Sequence, residues 1–323
     1  MIADKPAGVD ASAETLRTSY SSAAFPNPIF VIAPPGMAGE TVTAMLGQHP
    51  ECWGIAEANL ELGGNLDGLM RDMIGLRSSQ LHGLLRTLSQ LLTGEQTVVG
   101  IDAARRWLSR HAYLPTSAVW HLIAQRIAPR RIVAPLTSSL FETGSLERLV
   151  KTFPNAQFVA IKMHPKSYGQ AIMAQHGGAA AWLLGAVDES VFPKLPAPTE
   201  IWDLAEEGLS DLSEMVSAKQ IIRVRIEDIA HQRQITIPTL LFQLGLNASD
   251  TSVAAAQHPE RSAFCGPGPF GANSGGNILS LSQLSEQIPG LEELSLFGPA
   301  PWRPDGMPIR KETQKLAAAL GYS

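Results

Sequence analysis

The sequence predicts an α/β protein: a parallel sheet covered by helices on both faces, in three layers. Three observations carry that expectation. Short apolar, β-favouring runs alternate with stretches of helical periodicity. Gly, Pro and Ser punctuate the passage from each run to the next helix. The runs themselves are almost uninterrupted apolar sequence, as strands buried on both faces should be.

Ile29 to Ala33 is the first strand, Pro34-Pro35-Gly36 breaks it, and Val42, Met45 and Leu46 recur at helical spacing. His49 to Gly54 reads as a turn at the helix end, and residues 57–95 as mainly helical, with Leu60, Leu66, Leu84, Leu85 and Leu88 on apolar faces. Val98 to Ile101 is expected as a short strand and Ala118 to Ile127 as a helix. Arg131 to Ala134 is the next buried strand, followed by the hydroxyl-rich turn Thr137-Ser138-Ser139. A helix from Leu146 to Phe153, a strand from Gln157 to Met163, a helix from Ile201 to Val216, a strand from Lys219 to Ile226 and a helix from Thr236 to Leu244 complete the pattern. Residues 1–26 read as a loose leader and 27–323 as a single α/β domain, with 176–200 as an irregular excursion or lid.

Of 323 residues, 45% are hydrophobic and 17% charged, enough apolar sequence for a sizeable core. The 25 basic residues against 30 acidic ones argue against general nucleic-acid affinity, which needs a basic face to displace counterions. Cys52 and Cys265 fit two thiols in a reducing cytosol. Neither a secretory leader nor an apolar run of membrane-spanning length is visible, so a cytoplasmic location is expected. His164 and His176 are isolated, and no His/Cys/Asp spacing points to a metal.

The strand–turn–helix at residues 28–46 aims free backbone N–H groups at one point, which is how α/β proteins hold phosphate. The loop holds no Lys or Arg, however, and Glu40 places a carboxylate where a phosphate would sit.

Several segments together resemble the bacterial sulfotransferase family, P-loop-like α/β enzymes that use 3′-phosphoadenosine 5′-phosphosulfate (PAPS). Pro28 to Glu57 is similar to that family's opening strand, phosphosulfate loop, helix, His-Pro turn and following acidic residue. Leu146 to Ile161 resembles the helix and strand before the 3′-phosphate site, and Arg223-Val-Arg-Ile-Glu-Asp-Ile229 a strand that usually reads R-V-R-Y-E-D-L. His258 to Phe264 and the terminal Ile309 to Tyr322 segment extend the likeness to roughly residues 28–322. The resemblance implies a P-loop-like sulfotransferase fold, PAPS as donor, and a hydroxyl of a small molecule or sugar as acceptor. It places the donor on Pro35, Gly36, Met37, Ala38, Gly39, Glu40 and Thr41, with Lys162 and Arg225 from later strands. Glu57 falls where many relatives have the Glu proposed to take the acceptor's proton, and His49 could assist it.

The departures are as informative as the matches. Where the family reads P-R/K-S-G-T-T, this chain has Pro35, Gly36, Met37, Ala38, Gly39 and Glu40. Met163 and Ala171 stand at the 3′-phosphate positions, and Ser138 near a position often held by Lys. Two lost charge-assisted hydrogen bonds at ~1.5–3 kcal/mol each and a carboxylate about 5 Å from a phosphate, worth ~3 kcal/mol of repulsion at a dielectric of about 20, remove roughly four to six decades of affinity. Arg105-Arg106 and Arg130-Arg131 are candidates for displaced cations. Three readings therefore stand open: sulfuryl transfer from PAPS with Glu57 as base, the same fold repurposed for another donor or reaction, or a non-catalytic binding protein. The Ser138-Ser139 turn as an anion holder, and the Gly/Pro-rich loop from Phe264 to Asn277 as a cover over a ligand, are further candidates.

Overall fold

The computed structural model describes residues 25–175, 177–273 and 278–323. The expected leader, apart from Phe25 and Pro26, lies outside them, as do His176 and the end of the Gly/Pro-rich loop. Five parallel strands form the central sheet in the order β2-β3-β1-β4-β7: β1 (Ile29–Ile32), β2 (Cys52–Gly54), β3 (Arg131–Leu136), β4 (Gln157–Lys162) and β7 (Ile221–Arg225). Two-residue strands β5 (Val187–Asp188) and β6 (Leu195–Pro196) pair antiparallel outside the sheet, inside the 176–200 excursion. The helices that bear on the site are α1 (Gly39–Gly47), α2 (His82–Thr93), α3 (Val98–Arg110), α4 (Pro165–Ala174), α5 (Pro198–Met215) and α6 (Lys311–Ala319).

Side chains alternate across each strand, so β1 feeds two separate cores. Ile29 and Val31 join Val133, Val159 and Ile161 under α1, α4 and the front of α5. Phe30 and Ile32 point the other way, into a second cluster with Phe158, Leu84, Leu88, Ile101 and Trp120. Every residue of β1 is fully buried, which explains why its sequence carries no polar alternation.

Two expected elements differ. Val98 to Ile101 is the start of α3, not a strand. Thr97 caps it by accepting from the Gly100 amide, and Ile101, Ala104 and Leu108 carry the buried face. The β-branched Val98 and Val99 that favour a strand reading are exposed in the first turn, where no packing tests their preference. Conversely, Cys52 to Gly54 is edge strand β2 rather than turn, pairing in register with Arg131 to Val133. Three residues are too few for periodicity to reveal.

No helix among the described residues is long and apolar enough to cross a membrane.

Candidate functional site

The carboxyl ends of β1, β2 and β3 meet the amino end of α1, and two cavities open there. This is the edge at which open α/β sheets receive ligands. The larger, of about 810 Å³, runs from the loop after β1 to α4; its walls include Pro35, Gly36, Gly39, Glu40, Ser167 and Gln170. The smaller, of about 210 Å³, lies between α1 and α2 and is walled by Thr43, Asn59, Gln80, Arg86 and Phe264 among others. Glu40 and Glu57 line both, so the two carboxyls stand at the junction.

Glu57 reaches that position from the loop after β2. Its Oε1 accepts from the Thr137 amide at 2.7 Å and the Ser138 amide at 3.0 Å. The hydroxyl-rich turn after β3 does bind an anion, and that anion is the protein's own carboxylate. Gly83 lets α2 approach closely enough to back the Glu57 main chain, since a Cβ there would fall 1.9 Å from the Glu57 carbonyl oxygen. Burial pushes the Glu57 carboxyl up to about 7; the two amides pull it down, while the like charges of Glu61 and Glu40 push it up. Glu61 lies behind it, buried, with the Ser139 hydroxyl donating to it.

Glu40 sits in the first turn of α1, whose amides lack intrahelical acceptors. Burial raises its carboxyl, and the Arg86 charge partly offsets that. Glu40 Oε2 is buried without a hydrogen-bond partner among the described residues.

Arg86 is a buried cation in the wall of the smaller cavity that sequence reasoning missed. It is 3% exposed, donates to Gln96 Oε1 at 2.6 Å and the Phe264 carbonyl at 3.2 Å, and lies 5.7 Å from the Phe264 ring centroid. Helical periodicity places it opposite Leu84 and Leu88, on what should be a solvent face. The Phe264–Gly266 stretch covers that face, and a contact some 180 residues away in sequence leaves no local signal. Thr43 and Asn59 also escaped notice.

The remaining expected site residues divide clearly. Pro35, Gly36, Ala38 and Gly39 line the larger cavity with Glu40. Met37 instead packs in the core, and Thr41 is buried with its hydroxyl accepting from the Leu279 amide. Neither lines either of these two cavities. His49 is 1% exposed; its Nε2 bonds the Asn247 carbonyl at 2.8 Å and its Nδ1 accepts from the Glu51 amide at 3.1 Å. Both ring nitrogens are thus engaged by main chain, and His49 lines neither cavity.

Lys162 points to the opposite sheet face and forms a buried ion pair with Glu206 of α5. Arg225 lies over the Tyr322 ring at 4.9 Å and donates to the Leu320 and Gly321 carbonyls, closing the end of α6. Neither residue lines either of the two cavities. Of the proposed displaced cations, Arg131 is spent at the other end of the sheet on the Asn27 and Leu244 carbonyls and Gln157. Arg105 bonds the Gly271 carbonyl at 2.6 Å.

No protein-family model and no curated protein sequence matches the chain. Solved structures do. The sulfotransferase domain from the curacin biosynthetic pathway superposes with a TM-score of 0.73 at 18% identity, covering 93% of this chain and 99% of that one. The sulfotransferase domain of the Synechococcus PCC 7002 olefin synthase gives 0.69 at 16% identity, covering 94% and 98%. The chain has the sulfotransferase fold. The three-layer, P-loop-like architecture expected from the sequence is therefore present.

The PAPS expectation can be set against the residues of that fold. Among the described residues, no Lys or Arg lines the larger cavity, and Glu40 adds a negative charge. The hydroxyl the family carries at position 39 has no room here: a Cβ on Gly39 would stand 2.8 Å from the Ala33 Cβ. A polyanionic nucleotide does not fit this donor set.

Proposed function

We propose that this protein uses the sulfotransferase fold to transfer a group onto a hydroxyl of a small molecule from a donor less anionic than PAPS, with Glu57 taking the hydroxyl proton. One observation carries the reading. Glu57 is a half-buried carboxyl, fixed by two amides, raised to about 7 and placed where both cavities meet. A base with that affinity is half ionised near neutrality, so it can accept a proton that a hydroxyl loses as its oxygen attacks a donor. The two amides hold the carboxylate's direction while burial keeps it hungry for a proton. Glu57 therefore takes the proton from a hydroxyl in the smaller cavity as that oxygen bonds the transferred group, and the bond between the group and its donor breaks with its electron pair leaving on the donor. The larger cavity, bounded by the start of α1 and by no cation among the described residues, holds that uncharged or weakly charged donor.

The alternative, sulfuryl transfer from PAPS, draws support from the cavity beside the first turn of α1, which is large enough for a nucleotide. Titration calorimetry with 3′-phosphoadenosine 5′-phosphate separates the two. The proposal expects no heat at millimolar nucleotide; micromolar binding overturns it. A ¹³C-carboxyl NMR titration, with Glu57→Gln identifying the resonance, tests the base directly. The midpoint should fall near 7, and a midpoint below 5 removes Glu57 from the role.

A further inference from the structure

The larger cavity is charged in the sense opposite to a phosphate site. Two carboxyls, Glu40 and Glu57, stand in its wall, and no Lys, Arg or His does among the described residues. Each carboxyl offers one open oxygen. Glu57 Oε1 is taken by the Thr137 and Ser138 amides; Oε2 carries no bond among the described residues and is not buried. In Glu40 it is Oε2 that is buried, while Oε1 has no partner among the described residues and is exposed where the residue lines the cavity. Arg86 does not answer them. It lies in the wall of the smaller cavity, donates to Gln96 and the Phe264 carbonyl, and only partly offsets the burial of Glu40.

Charge and hydrogen bonding together describe the occupant. The start of a helix is equivalent to roughly half a positive charge. The Glu40 carboxylate in the first turn of α1 outweighs that on its own, and Glu57 adds to it once ionised. The cavity therefore favours a positive group. Carboxylate oxygens only accept, so a cation that donates N–H satisfies charge and hydrogen bond at once. An inorganic cation needs more oxygens than two side chains supply, and no group of three His, Cys, Asp or Glu gathers among the described residues. Leu279, Leu284 and Ile288, with Ala171 and Ala174 of α4, give the same cavity apolar surface for a carbon chain.

We propose that the larger cavity binds an aliphatic ammonium group seated on the Glu40 carboxylate, and that Glu40 selects a singly positive donor. This deepens the proposed function and rests on it in one respect: the occupant of this cavity is the donor.

Butylammonium, butanol and butyrate, which share a carbon chain and differ in charge, are the probes. Ligand-observed NMR titration at about pH 8 should show saturable butylammonium binding at millimolar concentration. Butanol and butyrate should each bind about tenfold more weakly or less, the worth of one hydrogen bond to a charged group. Glu40→Gln keeps the shape of the side chain and removes a charge with one oxygen buried and unpartnered, so the unfolding midpoint should hold or rise. The preference for butylammonium over butanol should nevertheless fall about tenfold. The native protein supplies a second measurement that needs no variant of Glu40. Bound ammonium favours the ionised carboxyls, so saturating butylammonium should lower the Glu57 ¹³C midpoint by about one pH unit, the equivalent of a tenfold preference for the ionised form. Absence of saturable butylammonium binding, equal affinity for butanol, an unchanged preference in Glu40→Gln, or a Glu57 midpoint that butylammonium does not move each overturns the assignment. The Glu57 titration without ligand separates the two proposals. No butylammonium binding with a Glu57 midpoint near 7 removes the ammonium alone; butylammonium binding with a midpoint below 5 removes the base alone.

Discussion

Glu57 shows how one residue's position sets two opposing pH dependences. Its carboxyl has an ordinary value of 4.5 and is raised to about 7 in the folded protein. Between those values the folded state holds a proton that the unfolded chain has released, so stability declines as pH rises across that window and levels off above it. Proton acceptance runs the other way, requiring the ionised form, and grows through the same window. Glu57→Gln should remove its share of the stability slope. Urea-unfolding curves should show the variant gaining on the native protein from pH 5 to 8, with a constant difference above. Any turnover should fall by about 10²–10⁴-fold, the usual contribution of a positioned base. A parallel pH dependence of stability in both proteins counts against a raised Glu57. The sequence supplied the position of this residue through its spacing from His49. It could not supply its environment, since the amides of Thr137 and Ser138 come from another strand end.

At the scale of elements, strands buried on both faces were legible because their composition records their burial. β1, β3, β4 and β7 all stand within a residue or two of their expected places. Edge strand β2 and the capped start of α3 were not, because pairing with β3 and exposure of Val98 and Val99 are tertiary facts. Lys162 is a different case. The resemblance places it with the donor, but strand alternation already turns it away from the face of Met163; in the fold it points toward α5 and Glu206, both side chains almost fully buried. Burial lowers the Lys162 pKa, and the Glu206 carboxylate partly restores it. Removing one partner of such a pair strands the other charge. Lys162→Met should therefore cost ~3–5 kcal/mol of unfolding free energy, while Lys162→Met with Glu206→Leu should recover most of it. Denaturant unfolding of the two variants decides the point. A double variant as unstable as the single would mean that packing, not charge, holds β4 to α5. Neither variant should create or abolish nucleotide binding, because Lys162 lines neither cavity.

The molecule as a whole ties the cavity wall to the 176–200 excursion through the segment before α6. Trp302 packs on α4 where Gly169 leaves room, since a Cβ there would lie 2.2 Å from the indole. One residue on, Arg303 donates to Asp188 in β5 at 2.6 Å and grips Asp305 through two nitrogens. The Ser190 hydroxyl, and after it Arg303, hold the Asp188 carboxyl down at about 2, and Arg303 does the same for Asp305. Their contribution is present above the ordinary carboxylate value of 3.8 and is lost as pH falls toward about 2. α4 in turn presents Ser167, Gln170 and Ala171 to the larger cavity. We propose that the excursion is a lid pinned at β5 by this guanidinium: Ala181 and Ala186 reach the main core, while Trp182, Leu183 and Phe192 are exposed. Sequence composition marked the excursion, but its anchor lies more than 100 residues away. Arg303→Ala should raise amide exchange several-fold across residues 186–197, where the Ala197 amide bonds the Ala186 carbonyl, and leave exchange in β1 and β4 unchanged. Unaltered protection in the excursion would show that it is held by packing and does not act as a separable lid. A loss of protection reaching β4 would show instead that the segment before α6 is part of the central fold.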